Sequence, residues 1–168
     1  MLTFIKPDFE SSQEIEELIL LNKDFNKIFF NLNLNNENFE FLNKFLNQQS
    51  IKNEATKSNK HYYFIINSST KEKIGFIKFQ FIKDRLNIFK LFIKKENRNL
   101  TNKNDIIDFV KNFAKENNLQ KISLQIPNEK KDLIEKFYTW GFKNIKEICI
   151  YLGGNLYIYG RELITEID

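Results

Sequence analysis

The spacing of apolar residues divides the chain into strand-like and helix-like stretches. A short apolar run at residues 2–5, closed by Pro7, predicts a first strand. Ser11 and Ser12 offer a helix N-cap ahead of Ile15, Leu18 and Ile19, whose spacing marks one helical face. A second helical stretch is predicted through Phe25, Ile28, Phe29 and Leu32. The Asn-rich residues 31–38 interrupt it, and Phe39, Leu42, Phe45 and Leu46 restore the helical period. Residues 48–60 are polar and without period, which predicts a loop.

From His61 the pattern changes. Runs at 62–66 and 74–82, joined by the turn-like Asn67, Ser68, Ser69 and Thr70, and a third at 86–93 predict an antiparallel meander. Ile106, Ile107, Val110, Phe113 and Ala114 then recur at helical spacing up to Asn117 and Asn118, where Asn can take the left-handed cap conformation. A strand at 121–126, a helix carrying Leu133, Ile134 and Phe137, and a stop at Gly141 follow. Two last strands, 145–152 and 156–159, flank Gly153 and Gly154, a hairpin signal. The order β, α, α, β, β, β, α, β, α, β, β predicts an α+β sheet domain. No internal repeat or linker breaks it, so 1–168 reads as one domain.

Composition narrows this picture without redirecting it. A chain of 168 residues is long enough to bury roughly 70% of the surface it exposes when unfolded, so it needs neither disulfide nor metal to fold. With 18 Phe, the core should be rich in rings. Lys, Asn, Ile and Phe are plentiful while Gly (5) and Pro (2) are scarce, the bias of an AT-rich coding genome, which discounts each Lys or Asn cluster. The net charge of +4 is spread among acids, which argues against a nucleic-acid partner. Lone Cys149 excludes an internal disulfide, and lone His61 excludes a multi-histidine metal site. Residues 1–10 show no signal pattern and no apolar run approaches the roughly 18 residues of a membrane span. The expectation is a soluble, cytoplasmic protein with no membrane partner.

Three stretches carry a resemblance. Leu91, Phe92, Ile93, Lys94, Lys95, Glu96, Asn97 and Arg98 resemble the end of the fourth strand of the GCN5-related N-acetyltransferases (GNAT), an apolar triplet followed by a short turn and then Arg or Gln. Leu119, Gln120, Lys121, Ile122, Ser123 and Leu124 resemble that family's fifth strand. Phe137, Tyr138, Thr139, Trp140, Gly141 and Phe142 resemble its Tyr-x-x-Gly-Phe signature. The spacing from Arg98 to Leu119 matches without gaps, and with the element order the resemblance covers essentially the whole chain.

The resemblance implies a central, mostly antiparallel mixed sheet of about seven strands with helices on both faces, the fourth and fifth strands diverging. It implies acetyl transfer from acetyl-CoA, as cosubstrate, to a primary amine of a small molecule or protein. The backbone at Leu91, Phe92 and Ile93 would pair with pantetheine and face the thioester. Arg98, Asn99, Leu100, Thr101, Asn102 and Lys103 would form the pyrophosphate loop, and Tyr138 would protonate the departing thiolate. No metal is implied, and a homodimer is left open. No general base can be named, because Asn87 and Lys90 stand on the strand where relatives carry Glu.

The match departs from the family in three places. Thr101 and Lys103 occupy the two glycine positions of the loop, and Lys131 stands where the family often has Asn. A Cβ obstructs close approach of backbone to phosphate, while Lys103 could add a charge-assisted contact of about 1.5–3 kcal/mol. Asp105 would place negative charge near the pyrophosphate, or would simply complement the helix dipole. The alternative is therefore a catalytically degenerate GNAT-fold interaction or regulatory module, with the loop a plain helix cap and Tyr138 an aromatic covering the sheet. His61 is expected at the surface, and Cys149 as buried packing.

Overall fold

A computed structural model describes residues 1–29, 36–57, 59–98, 103–153 and 156–168, with backbone alone at 36–39, 103, 153 and 156. The predicted order is found, with one added helix. The elements are β1 (Leu2–Ile5), α1 (Ser12–Phe29), α2 (Asn36–Asn43), α3 (Gln48–Ala55), β2 (Lys60–Asn67), β3 (Lys73–Ile82), β4 (Arg85–Ile93), α4 (Lys103–Glu116), β5 (Lys121–Pro127), α5 (Lys131–Thr139), β6 (Lys143–Gly153) and β7 (Leu156–Glu166). They build one seven-stranded sheet in the order β1-β2-β3-β4-β5-β7-β6. Every pairing is antiparallel except β4 with β5.

Local chemistry explains most boundaries. Ser11 caps α1, its Oγ accepting from the Glu14 backbone N–H at 3.3 Å. The two helical stretches expected as far as Leu32, which lies outside the described residues, are one continuous helix up to Phe29, because Ile15, Leu18, Leu21, Asn22 and Phe25 keep a single buried face. Residues 48–60 were expected as a loop, and 48–55 are helical instead. Asn47 caps α3 by accepting from Ser50 N at 2.9 Å, and Ile51 alone supplies its buried apolar contact. One apolar residue gives no period to read.

Two of the chain's helix ends are Schellman caps. After α4, Leu119 N donates to Ala114 O at 2.9 Å and Asn118 N to Lys115 O at 3.0 Å, with Asn118 at φ 56° as predicted. After α5, Phe142 N donates to Phe137 O at 3.1 Å and Gly141 N to Tyr138 O at 3.0 Å, with Gly141 at φ 89°. The Phe137 and Phe142 rings meet edge-to-face at 5.2 Å, the hydrophobic contact that accompanies this cap. The Gly and Phe of the Tyr-x-x-Gly-Phe signature are thus a helix stop with its hydrophobic clasp.

Strand alternation sends side chains to two cores. On one face α4 and α5 cover Ile77, Phe79, Leu86, Ile122 and Leu163, with the Phe79 and Phe113 rings stacked at 5.0 Å. On the other, α1 and α3 cover Phe64, Phe76 and Phe92. β7 runs to Glu166, past the expected end at Tyr159. Gly160 and the charged residues beyond it break the apolar run, yet Gly160 is where β5 comes close, a Cβ there falling 2.6 Å from the Ile126 carbonyl oxygen. Cys149, expected to be buried, is exposed. It lies on the edge strand β6 opposite Tyr159, itself exposed, whereas neighbouring Ile150 points to the other face and is buried.

β3 and β4 come close at Gly75, where an added Cβ would lie 2.0 Å from the Phe92 carbonyl oxygen. Gly75→Ala should force the strands apart and cost about 1–3 kcal/mol, the usual range for overpacking. The measurement is urea unfolding, with a lowered midpoint and an unchanged slope expected.

Candidate active site

β4 and β5 share four paired positions, Arg85↔Lys121 through Ile88↔Leu124, and then separate. The cause lies in β4. Against β3 its register slips between Lys78↔Lys90 and Phe79↔Ile88, leaving Phe89 as a bulge residue. A bulge bends its strand and increases the local twist. Beyond it β4 follows β3, while β5 stays with β7 as far as Pro127↔Gly160. At the last common rungs Ser123 donates to Asn87 at 3.2 Å, a buried bond that holds the register where the strands part.

The wedge between them is a cavity of about 500 Å³. Residues Ile88 to Ile93 of β4 form one wall and Leu124, Gln125 and Ile126 of β5 the other. Phe25, Ile28 and Phe29 of α1 close one side, and Leu133 and Phe137 of α5 and Trp140 just past its end, with Ile106 of α4, close the other. Among the described residues β5 pairs with no part of β4 past Ile88, and that edge of β4 borders the groove.

Arg98 and Lys130 stand among the lining cations. Arg98 Nε donates to the Ile93 carbonyl at 2.9 Å, bracing the end of β4. Lys130 Nζ donates to the Ile28 carbonyl at 2.7 Å, tying the loop before α5 to the last turn of α1. Burial first, and Arg98 second, hold the Lys130 amine below its usual range. Two cations that repel each other on one rim attract an anion. Asp105, in the first turn of α4, turns the other way. It accepts from the Leu2 backbone N–H at 2.7 Å and lies 3.9 Å from the N-terminal amine, so its charge is spent on β1.

Lys90, marked by the sequence only as standing where relatives carry Glu, has a character of its own. Its amine donates to Asn22 Oδ1 at 2.9 Å and sits 5.5 Å from the Phe25 ring centroid. Asn22, wholly buried, uses its own N–H₂ on the Leu18 carbonyl at 2.8 Å. The residue keeps intermediate exposure because the groove opens on it. Protein nevertheless crowds the amine, and burial, then repulsion from Lys78, pushes its pKa down to about 7, Glu54 opposing. A lysine among discounted lysines gave no warning of this. The signal lies in its position one residue past the bulge and inside the wedge.

Next to it is a polar cluster anchored by α3. Glu54 accepts from Tyr62 Oη at 2.7 Å and from Lys78, whose side chain is 4% exposed. Burial works to raise the Glu54 carboxyl, but Lys78, Tyr62 and Lys60 together outweigh it and the net shift is downward. Lys78 is lowered by burial, with Glu54 offsetting part of the effect.

Of the residues the resemblance implied, Leu91, Phe92, Ile93 and Arg98 line this one groove. Tyr138 does not share its lining. The Tyr138 hydroxyl accepts from Arg161 at 3.2 Å on the β7 side, and Arg161 also donates to Asn128 at 3.1 Å. Asn99, Leu100, Thr101 and Asn102 lie outside the described residues, and Lys103 is described only by its backbone, opening α4. His61 is of intermediate exposure, its ring 4.7 Å from that of Phe81. Among the described residues no group of three His, Cys, Asp or Glu is placed to hold a metal ion, and no helix is long and apolar enough to cross a membrane.

No protein-family model and no curated protein sequence matches the chain. Solved structures do. A GNAT-family acetyltransferase from Staphylococcus aureus superposes with a TM-score of 0.71 over 100% of both chains at 19% identity. The PaiA N-acetyltransferase of Thermoplasma acidophilum, in complex with coenzyme A, gives 0.77 over 99% of both at 15% identity. Spermidine N-acetyltransferase from Vibrio cholerae, in complex with CoA and spermine, gives 0.70 over 99% of this chain and 95% of that one at 14% identity.

Lowered ionisation of Lys90 has a sign that stability can report. Below pH 7 the folded state carries a disfavoured buried charge. From about 7 up to the ordinary lysine value of 10.5, the unfolded chain binds the proton and the folded one does not, so stability rises with pH across that window. The Tm of Lys90→Met relative to the parent should therefore be highest near pH 6 and decline toward pH 9. A difference that stays flat with pH would show an ordinary lysine.

Proposed function

The chain has the fold of the GCN5-related N-acetyltransferases, and we propose that it is an acyl-CoA-dependent N-acetyltransferase acting on a primary amine of a small molecule or protein. The observation that carries this proposal is the wedge between β4 and β5, an apolar slot with an unpaired strand edge along one wall and Arg98 and Lys130 at its rim. A long, thin acyl donor ending in phosphates needs those three features. The free edge of β4 at Leu91, Phe92 and Ile93 would pair with the amide-bearing arm and present backbone donors to the thioester oxygen, where charge develops during transfer. Phosphates would meet Arg98, the N-terminal backbone of α4 at Lys103, and the 99–102 segment between them.

Acetyl-CoA supplies an activated acyl group, and the rest falls to the chain. Tyr138 is proposed as the acid that protonates the leaving thiolate. Its oxygen accepts from Arg161, so its own O–H is left to donate elsewhere, and it stands next in α5 to Phe137, which lines the groove. A second proposal, a GNAT-fold module that binds a partner and no cofactor, is favoured by Thr101 and Lys103 in place of glycines.

Ligand binding separates the two. Millimolar acetyl-CoA should raise the Tm, since a ligand selective for the native state stabilises it by about 2.7 kcal/mol at a hundredfold excess over Kd. No shift, with no heat in calorimetry, would favour the interaction module. With an amine that the parent acetylates, Tyr138→Phe should lower kcat by roughly 10²-fold or more, leaving acetyl-CoA affinity unchanged. Full turnover in that variant would remove Tyr138 from the chemistry.

A further inference from the structure

We propose that Lys90 is itself an acyl acceptor: its side-chain amine attacks an acyl thioester held in the β4–β5 groove, and the chain acylates itself there. The proposal rests on the acyl-CoA reading of that groove. Lys90 belongs to the β4 wall, one residue from Leu91, and is among the residues that line the same cavity. It is held rather than loose, through Asn22 on α1 at 2.9 Å. Asn22 is itself fixed by its bond to the Leu18 carbonyl, so the nucleophile has a defined place.

The surroundings favour the reaction on both sides. Before it, an amine whose pKa burial and Lys78 lower to about 7 has its lone pair available in a large share of molecules near neutrality, as desolvated nucleophilic lysines do. After it, the product is a neutral amide. Its one N–H can still donate to Asn22 Oδ1, and both the burial cost of an ammonium and its repulsion from Lys78 disappear. In the step a C–N bond forms and the thioester C–S bond breaks. The amine loses one proton to solvent and the departing thiolate takes one up, so no oxidant or further reactant is needed.

Other charges bear on the pH dependence. Lys78 on β3 opposes charge on Lys90 and Glu54 on α3 favours it. From the far side, Arg98, Glu129, Lys130, Lys131, Asp132 and Lys136 line the cavity. The contacts from α1 are the uncharged Asn22 and Phe25.

The test incubates the full chain with acetyl-CoA between pH 6 and 8 and maps acylated lysines by peptide mass spectrometry. Lys90 should be acetylated first and to near completion, faster as pH rises, and excess CoA should suppress it while leaving slow labelling of surface lysines unaffected. A second arm uses no bound donor: in competitive labelling with acetic anhydride at pH 7, Lys90 should outreact the exposed lysines several-fold. Thermal shift on the same samples separates the failures. Acetyl-CoA binding with Lys90 unmodified, or modified no faster than surface lysines, overturns this inference alone. Absence of binding overturns it together with the proposed function. Both arms read the unmutated chain, so no variant has to fold.

Discussion

The site depends on where one parallel ladder ends. Among the described residues β4 and β5 are the only parallel neighbours in an otherwise antiparallel sheet, and they stay together for four rungs. The bulge at Phe89 commits the rest of β4 to β3, and Gly160 lets β7 hold β5 close. Each strand keeps one partner and loses the other, so the hydrogen-bonding capacity at the centre of the sheet opens onto a cavity instead of being consumed. A continuous β4–β5 ladder would leave no groove, no free strand edge and no place for Lys90 beside a ligand.

The same divergence accounts for the polar groups buried near it. Covering a bent strand with α1 leaves Lys90 facing Asn22 and Phe25, and Lys78 pairs with Glu54 on α3 beneath Tyr62 and Phe89. Buried ion pairs of this kind seldom add net stability, since desolvation offsets the attraction, but removing one partner leaves an uncompensated charge. Lys78 has such a partner in Glu54. Lys90 has a hydrogen bond and, among the described residues, no carboxylate paired with it, and its ionisation yields instead. That contrast between two neighbouring lysines marks Lys90 as chemically distinct.

Much of the fold could be read from the sequence because its signals are local. Asn118 and Gly141 punctuate helices by the conformations they tolerate, and the apolar alternation of β2, β3 and β4 fixes the meander. The diverging fourth and fifth strands came from the family resemblance and are found as expected. What escaped was non-local. α3 has one buried apolar residue and is held by a cap and by Glu54, whose partners lie on β2 and β3. The far half of β7 hides behind Gly160, Arg161 and Glu162, which are accounted for by partners distant in sequence, among them the Ile126 carbonyl, Tyr138 and Arg85. Lys90 likewise has its character set by α1, α3 and β3 together.

The loop without glycines is best weighed against the charges around it. A glycine-rich loop binds phosphate through backbone N–H groups brought close by the absence of Cβ. This chain places Arg98 and Lys130 on the groove and sends Asp105 toward Leu2 and the N-terminal amine. The first turn of α4 therefore does not set its one carboxylate against an anion, one of the two roles the sequence left open for Asp105. Side-chain cations act at longer range than backbone amides and are screened by salt. An anion held this way is attracted strongly and positioned loosely, and its alignment must come from elsewhere in the groove. The free edge of β4 is the rigid element available for that, which returns positional control to the ladder's end at Ile88.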